Sequence, residues 1–99
     1  MNLVNMNKYE SVIIVKPTVD DEHLKELEKS FTEIINKDGK LEKVDEMGKR
    51  KLAYEVKKNT EGIYVVFYFE ANPTLIEELE RNYRISDDVI KFINVRVEE

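Results

Sequence analysis

Residues 63 to 69, Ile-Tyr-Val-Val-Phe-Tyr-Phe, constrain the fold more than any other stretch of the chain. A β-strand points successive side chains to opposite faces. Ile63, Val65, Phe67 and Phe69 form one row, Tyr64, Val66 and Tyr68 the other, and neither row is polar. A strand apolar on both faces belongs inside a sheet. Val12 to Val15 is β-branched and nearly continuous in the same way, within a strand reading from Lys8 to Lys16 that Pro17 stops. Two strands of this kind predict a sheet with two interior positions.

The segments around them supply the other layers. Thr18-Val19-Asp20-Asp21 carries helix-start chemistry, with acids at the positive end of the helix dipole. Leu24, Leu27, Phe31, Ile34 and Ile35 then recur at helical spacing, and Gly39 reads as the C-terminal cap. The opposite face, with Glu22, Lys25, Glu26, Lys29 and Glu33, reads as solvated. Lys40 to Lys58 reads as a long charged strand with an irregularity at Gly48. Asn59-Thr60-Glu61-Gly62 reads as a turn into the third strand, Ile63 to Ala71. Asn72-Pro73 opens a second helix whose stripe is Leu75, Ile76, Leu79 and Tyr83. Ser86-Asp87-Asp88 turns into a last strand, Val89 to Val97. Met1 to Asn7 is polar and reads as frayed, and residues 1–99 read as one domain.

The order is βαββαβ. Right-handed crossovers interleave its halves as the ferredoxin-like split βαβ, an α+β sandwich with a four-stranded antiparallel sheet and two helices on one face. Apolarity places the first and third strands centrally and the charged second and fourth at the edges. Whichever row of the third strand the helices leave uncovered becomes an apolar, partly aromatic open face, expected to meet a partner.

Chemistry is sparse. The chain has no cysteine and one histidine, His23, read as a surface residue, so neither disulfides nor the usual zinc or iron ligand sets are available. Asp20-Asp21-Glu22 and Asp87-Asp88 lack calcium-loop spacing, and Ser11, Ser30 and Ser86 lack a histidine partner. The three glycines are isolated, so no phosphate loop exists. The expectation is a protein that is not an enzyme, with no cofactor, no metal and no small-molecule substrate. No apolar run reaches membrane-span length, and the absence of cysteine fits a reducing, cytoplasmic setting.

A net charge of −5 opposes indiscriminate nucleic-acid binding, yet the charge is unevenly placed. Residues 20–46 carry ten acids and five bases, whereas in residues 47–58 Lys49, Arg50, Lys51, Lys57 and Lys58 face Glu55 alone. Within that basic stretch Leu52, Tyr54 and Val56 alternate with polar or small residues. It suits an anion or an acidic partner, or equally an edge strand whose lysines discourage aggregation. A stacking surface of the RNA-recognition-motif type is not supported, because Ile63 and Val65 occupy two positions where aromatics are needed.

Gly48-Lys49-Arg50-Lys51-Leu52-Ala53-Tyr54 resembles the signature of the bacterial small-subunit ribosomal protein six family. Tyr9-Glu10, Val15 to Pro17, Gly62-x-Tyr64 and Arg84-Ile85-x-Asp87 fall where that family has them, so the likeness covers about Asn7 to Val97. It implies a structural component of the small ribosomal subunit. Such a protein binds the central domain of small-subunit ribosomal RNA with ribosomal protein eighteen, a strongly basic partner, as a heterodimer. On this chain the family's RNA positions are Lys8, Tyr9, Arg84, Lys91 and Arg96. The partner surface falls on Lys49, Arg50, Lys51, Leu52, Ala53, Tyr54 and Lys57. The chain departs from the family at Ser86 and at Ile90-Lys91, where arginines are common, and it ends at Glu98-Glu99 where relatives often have a longer acidic tail. The alternative is a ferredoxin-like regulatory or small-ligand-binding module.

Overall fold

Backbone pairing bears out the placement that apolarity required. The structure, a computed structural model, describes residues 6–97. Its elements are β1 (Asn7–Val15), α1 (Asp21–Asp38), β2 (Gly39–Val56), β3 (Asn59–Ala71), α2 (Pro73–Ile85) and β4 (Val89–Val97). The sheet is antiparallel in the order β2-β3-β1-β4, with the two strands apolar on both faces inside. This is the ferredoxin-like arrangement. The frayed start does not extend as far as Asn7, which already pairs with Ala71; residues 1–5 lie outside the described residues.

The two-sided row of β3 is settled by what the helices cover. Ile63, Val65, Phe67, Phe69 and Ala71 join Tyr9, Ile13 and Val15 of β1 beneath Leu24, Phe31, Ile35, Leu75, Leu79 and Tyr83. Tyr64, Val66 and Tyr68 therefore lie on the open face, with Val12 and Ile14 opposite Val66 and Tyr64. At its β4 margin Ile93 and Val95 are 51% and 49% exposed.

Two local readings need correction. Asp20 caps α1 as expected, accepting from the His23 amide at 2.8 Å, whereas Asn72 holds the N-cap position before Pro73 without a side-chain capping bond, only its carbonyl accepting from the Leu75 amide at 3.0 Å. Gly39 follows α1 in extended conformation, not as a left-handed cap. It is needed because a Cβ there would collide with the Glu70 carbonyl across the β2–β3 pair. The turn into β3 is Lys57-Lys58, at φ 48° and 68°, the left-handed pair of a type I′ hairpin. Asn59 braces it, its side-chain amide donating to the carbonyls of Val56 and Lys57 at 3.3 and 3.1 Å. Asn59 to Gly62 drew attention as turn formers, yet all four belong to β3, and Asn59 acts on the turn from beside it.

Leu79 is fully buried, whereas Leu27 only packs against the rim of the core. Leu79→Ala is expected to cost about 2–5 kcal/mol in urea unfolding, and Leu27→Ala distinctly less, because a cavity forms only where neighbours cannot collapse. Equal losses at the two sites would contradict the packing. Lys58→Gly is expected to raise stability by about 0.5–1 kcal/mol, since glycine adopts positive φ without the side-chain clash. A destabilised variant in the same assay would show that the turn is not left-handed there.

Candidate functional site

The basic stretch lies on β2, whose outer edge is unpaired because β2 ends the sheet. Gly48 stands at φ +87°, where the β2–β3 register shifts between Glu46 and Gly48, so the expected irregularity is a bulge on a left-handed glycine. After it, Lys49, Arg50 and Lys51 pair regularly with Ile63, Gly62 and Glu61. Lys49 and Lys51 consequently lie on the helix side of the sheet and Arg50 on the open face.

The register then jumps from Lys51 opposite Glu61 to Val56 opposite Asn59. Leu52, Ala53, Tyr54 and Glu55 thus face only Thr60. So large a mismatch bends the hairpin, and its tip reaches the start of β4. Tyr54, 63% exposed, accepts a hydrogen bond from the Lys91 ammonium at 2.8 Å, and the same ammonium lies 5.1 Å from its ring centre. This contact holds the Tyr54 phenol below its ordinary range.

The five residues placed on RNA by resemblance do not form one cluster. Arg84 ends α2, with its guanidinium 3.4 Å from Glu80 and 5.4 Å from the Phe92 ring centre. Lys91 lies next to it, at the start of β4. Arg96 is five residues further along β4, roughly 17 Å at ~3.4 Å per residue, and there it pairs with Tyr9. Lys8 sits beside Tyr9, on the opposite face. Tyr9 is only 8% exposed, stacked on Phe69 at 5.7 Å and facing the helices, so its ring is part of the core. The structure instead brings Arg84 and Lys91 together with Lys57 of the hairpin tip, around one cavity.

Two charged groups have environments that sequence reasoning missed. His23 is exposed, but its Nε2 lies 2.7 Å from Asp88, tying the start of α1 to the turn before β4. That hydrogen bond raises the imidazole pKa above 6.5. Its contribution to stability is full below pH 6.5 and is lost as pH rises through the folded value. Glu28, four residues after Leu24 on the buried side of α1, is itself buried, with Oε2 lacking a hydrogen-bond partner among the described residues. Burial, then the neighbouring Glu46 carboxylate, push it up to about 7, against the opposing pull of Lys25. Lys25 bridges to Glu46 at 2.5 Å, so it is not merely a solvated residue on a polar face. The repeating i, i+4 position of Glu28 in the apolar stripe was the available signal.

No group of three or more metal-ligating side chains is found among the described residues, and no helix there is long and apolar enough to cross a membrane.

Comparison with known proteins places this arrangement. The sequence profile described as Ribosomal protein S6 matches residues 8–96. The small ribosomal subunit protein bS6 of Helicobacter hepaticus is 47% identical over 94 residues, 94% of this chain and 69% of that protein. That of Campylobacter curvus is 46% identical over 94 residues, 94% of this chain and 66% of that protein. The chain thus spans about two thirds of the length of these relatives. Among solved structures, 30S ribosomal protein S6 from Thermotoga maritima superposes with a TM-score of 0.87 at 38% identity, covering 93% of this chain and 88% of that one.

Because Glu28 holds its proton to a higher pH when folded than its unfolded value of 4.5, stability falls as pH rises from about 4.5 to about 7. Glu28→Gln removes this loss. Its denaturation midpoint is expected to gain on the wild type across that window and to hold the gain at pH 8. A difference between the two proteins that does not change with pH would refute it.

Proposed function

The chain belongs to the ribosomal protein S6 family, a structural component of the small ribosomal subunit and not an enzyme, and from that we propose that it binds the central domain of small-subunit ribosomal RNA jointly with ribosomal protein eighteen. The observation that carries the proposal is where the cations of an acidic chain lie. Lys49, Arg50, Lys51 and the Lys57-Lys58 tip extend along β2, and Arg84, Lys91 and Arg96 lie on or beside β4, while α1 and the first half of β2 carry nine acids against five bases. A protein of charge −5 contributes a few local phosphate contacts, and a basic neighbour supplies the rest of the neutralisation.

In this reading the unpaired edge of β2 over Lys49 to Tyr54 receives the protein partner. Its backbone groups would extend the sheet, because the cations there repel a basic neighbour and cannot supply the attraction themselves. Lys8, Arg84, Lys91 and Arg96 take phosphates at the two ends of β4. Tyr9 supports the Lys8 end from within the core. Among the described residues, two cavities beside the sheet are about 270 Å³ each, below the ~300 Å³ at which drug-sized sites begin, and neither favours the regulatory-module alternative.

The test titrates central-domain RNA against the isolated protein and against its mixture with ribosomal protein eighteen, over a range of salt. Weak binding alone and strong binding together are expected. Arg84→Ala and Arg96→Ala are each expected to lower the salt slope by about one unit. Ala53→Pro is expected to weaken the heterodimer while leaving the melting curve intact. RNA binding that is equal with and without the partner would refute the joint mode.

A further inference from the structure

The cavity between the hairpin tip and the start of β4 adds a third cation, Lys57, to the Arg84 and Lys91 already read as phosphate contacts. Lys57, Arg84 and Lys91 supply its cations, Tyr83, Ile90 and Phe92 supply apolar wall, and it stands half open to solvent with a volume of about 270 Å³. No carboxylate lines it among the described residues. Glu80 reaches Arg84 from outside at 3.4 Å, but its second oxygen accepts from the Asn94 side-chain amide at 2.9 Å, so its charge is shared. The Lys91 ammonium is met by a neutral phenol, Tyr54, which leaves its charge uncompensated and two of its three N–H donors unused by that contact. Lys57 forms no ion pair with a described residue, and its backbone is held left-handed by the turn.

Three cations from two separate parts of the chain around an acid-free, half-open cavity make a seat for a compact anion. The Arg84 fork suits two oxygens of one tetrahedral group, and lysines complete the charge from the sides. The open side lets a polymer enter and leave, which a free metabolite does not require. Resting on the RNA-binding reading above, we propose that this cavity seats one phosphodiester group of the RNA, clamped by Lys57 from the hairpin tip and by Arg84 and Lys91 from the body. Lys57, which the resemblance put on the partner surface, then belongs to the RNA side of the molecule instead, and the mismatched segment Leu52–Glu55 is what carries it there. Tyr54 holds the Lys91 ammonium by a hydrogen bond that brings no full negative charge to it.

The experiment measures central-domain RNA binding by the heterodimer with ribosomal protein eighteen across salt, for Lys57→Gln and for Lys58→Gln. Both are exposed turn residues of equal charge, and only the first lines the cavity. Lys57→Gln is expected to weaken RNA binding several-fold to about tenfold at physiological salt and to lower the salt slope by about one unit, while Lys58→Gln changes neither. Heterodimer affinity, measured without RNA, is expected to be unchanged in both. Wild-type RNA binding by Lys57→Gln, or equal losses in the two variants, overturns the seat. If Arg84→Ala weakens RNA binding in the same series while Lys57→Gln does not, only the seat fails and the RNA reading stands. A wild-type heterodimer that does not bind this RNA at all overturns both.

Discussion

The hydrogen bond between Ser11 and Tyr83, 2.7 Å long and fully buried, is the contact on which the arrangement of the molecule depends. It joins the central strand β1 to α2 through Ser11, which is fully buried in the core. Around it Tyr83 meets Phe31 of α1 edge-on at 4.8 Å and Phe92 of β4 at 5.3 Å, so one side chain touches three other elements. Burial pushes the Tyr83 phenol far above its ordinary range, which keeps it a neutral hydrogen-bonding group at any ordinary pH. An unpaired hydroxyl at this depth would cost on the order of 1–3 kcal/mol, so neither partner can be lost cheaply.

The same residue fixes where the surface cations stand. Arg84 follows Tyr83 in sequence, and Phe92, packed on the Tyr83 ring, carries the Arg84 guanidinium above it. Lys91 precedes Phe92. A buried aromatic cluster thus sets the spacing of two exposed charges. The third, Lys57, arrives by a different route, through a hairpin whose arms are unequal in length. Its position is governed by a bulge and a strained turn, not by the core.

The fold was legible in the sequence because its strongest signals were redundant. Ile63 to Phe69 and Val12 to Val15 demanded interior strands, and the stripes ending in Ile35 and Tyr83 demanded helices over one face. Signals borne by single residues carried less far. Gly39 and Asn59 were each read by their usual local role, and in both cases a contact from outside the local segment decided the outcome: the Glu70 carbonyl opposite Gly39 and the paired strand at Asn59. The choice between the two rows of β3 was open in principle, since both are apolar and only the crossing of the helices distinguishes them. The candidate site was legible as a basic stretch and a set of scattered cations. Their grouping was not, because nothing in residues 52–55 announces that four of them face a single residue of β3.

The strand order has a consequence for how the protein is made. β1 occupies the middle of the sheet, yet both its neighbours, β3 and β4, are encoded far downstream. A chain growing at about 5–20 residues per second therefore presents an apolar strand with two bare edges, and the second edge is closed only when residues 89–97 emerge, on the order of ten seconds later. Neither βα half can close alone, so folding waits for nearly the whole sequence. During that interval the acidic α1 segment directly after β1 keeps neighbouring nascent chains apart by like-charge repulsion. The negative charge that weakens contact with nucleic acid in the finished protein thus serves solubility while it is still being assembled.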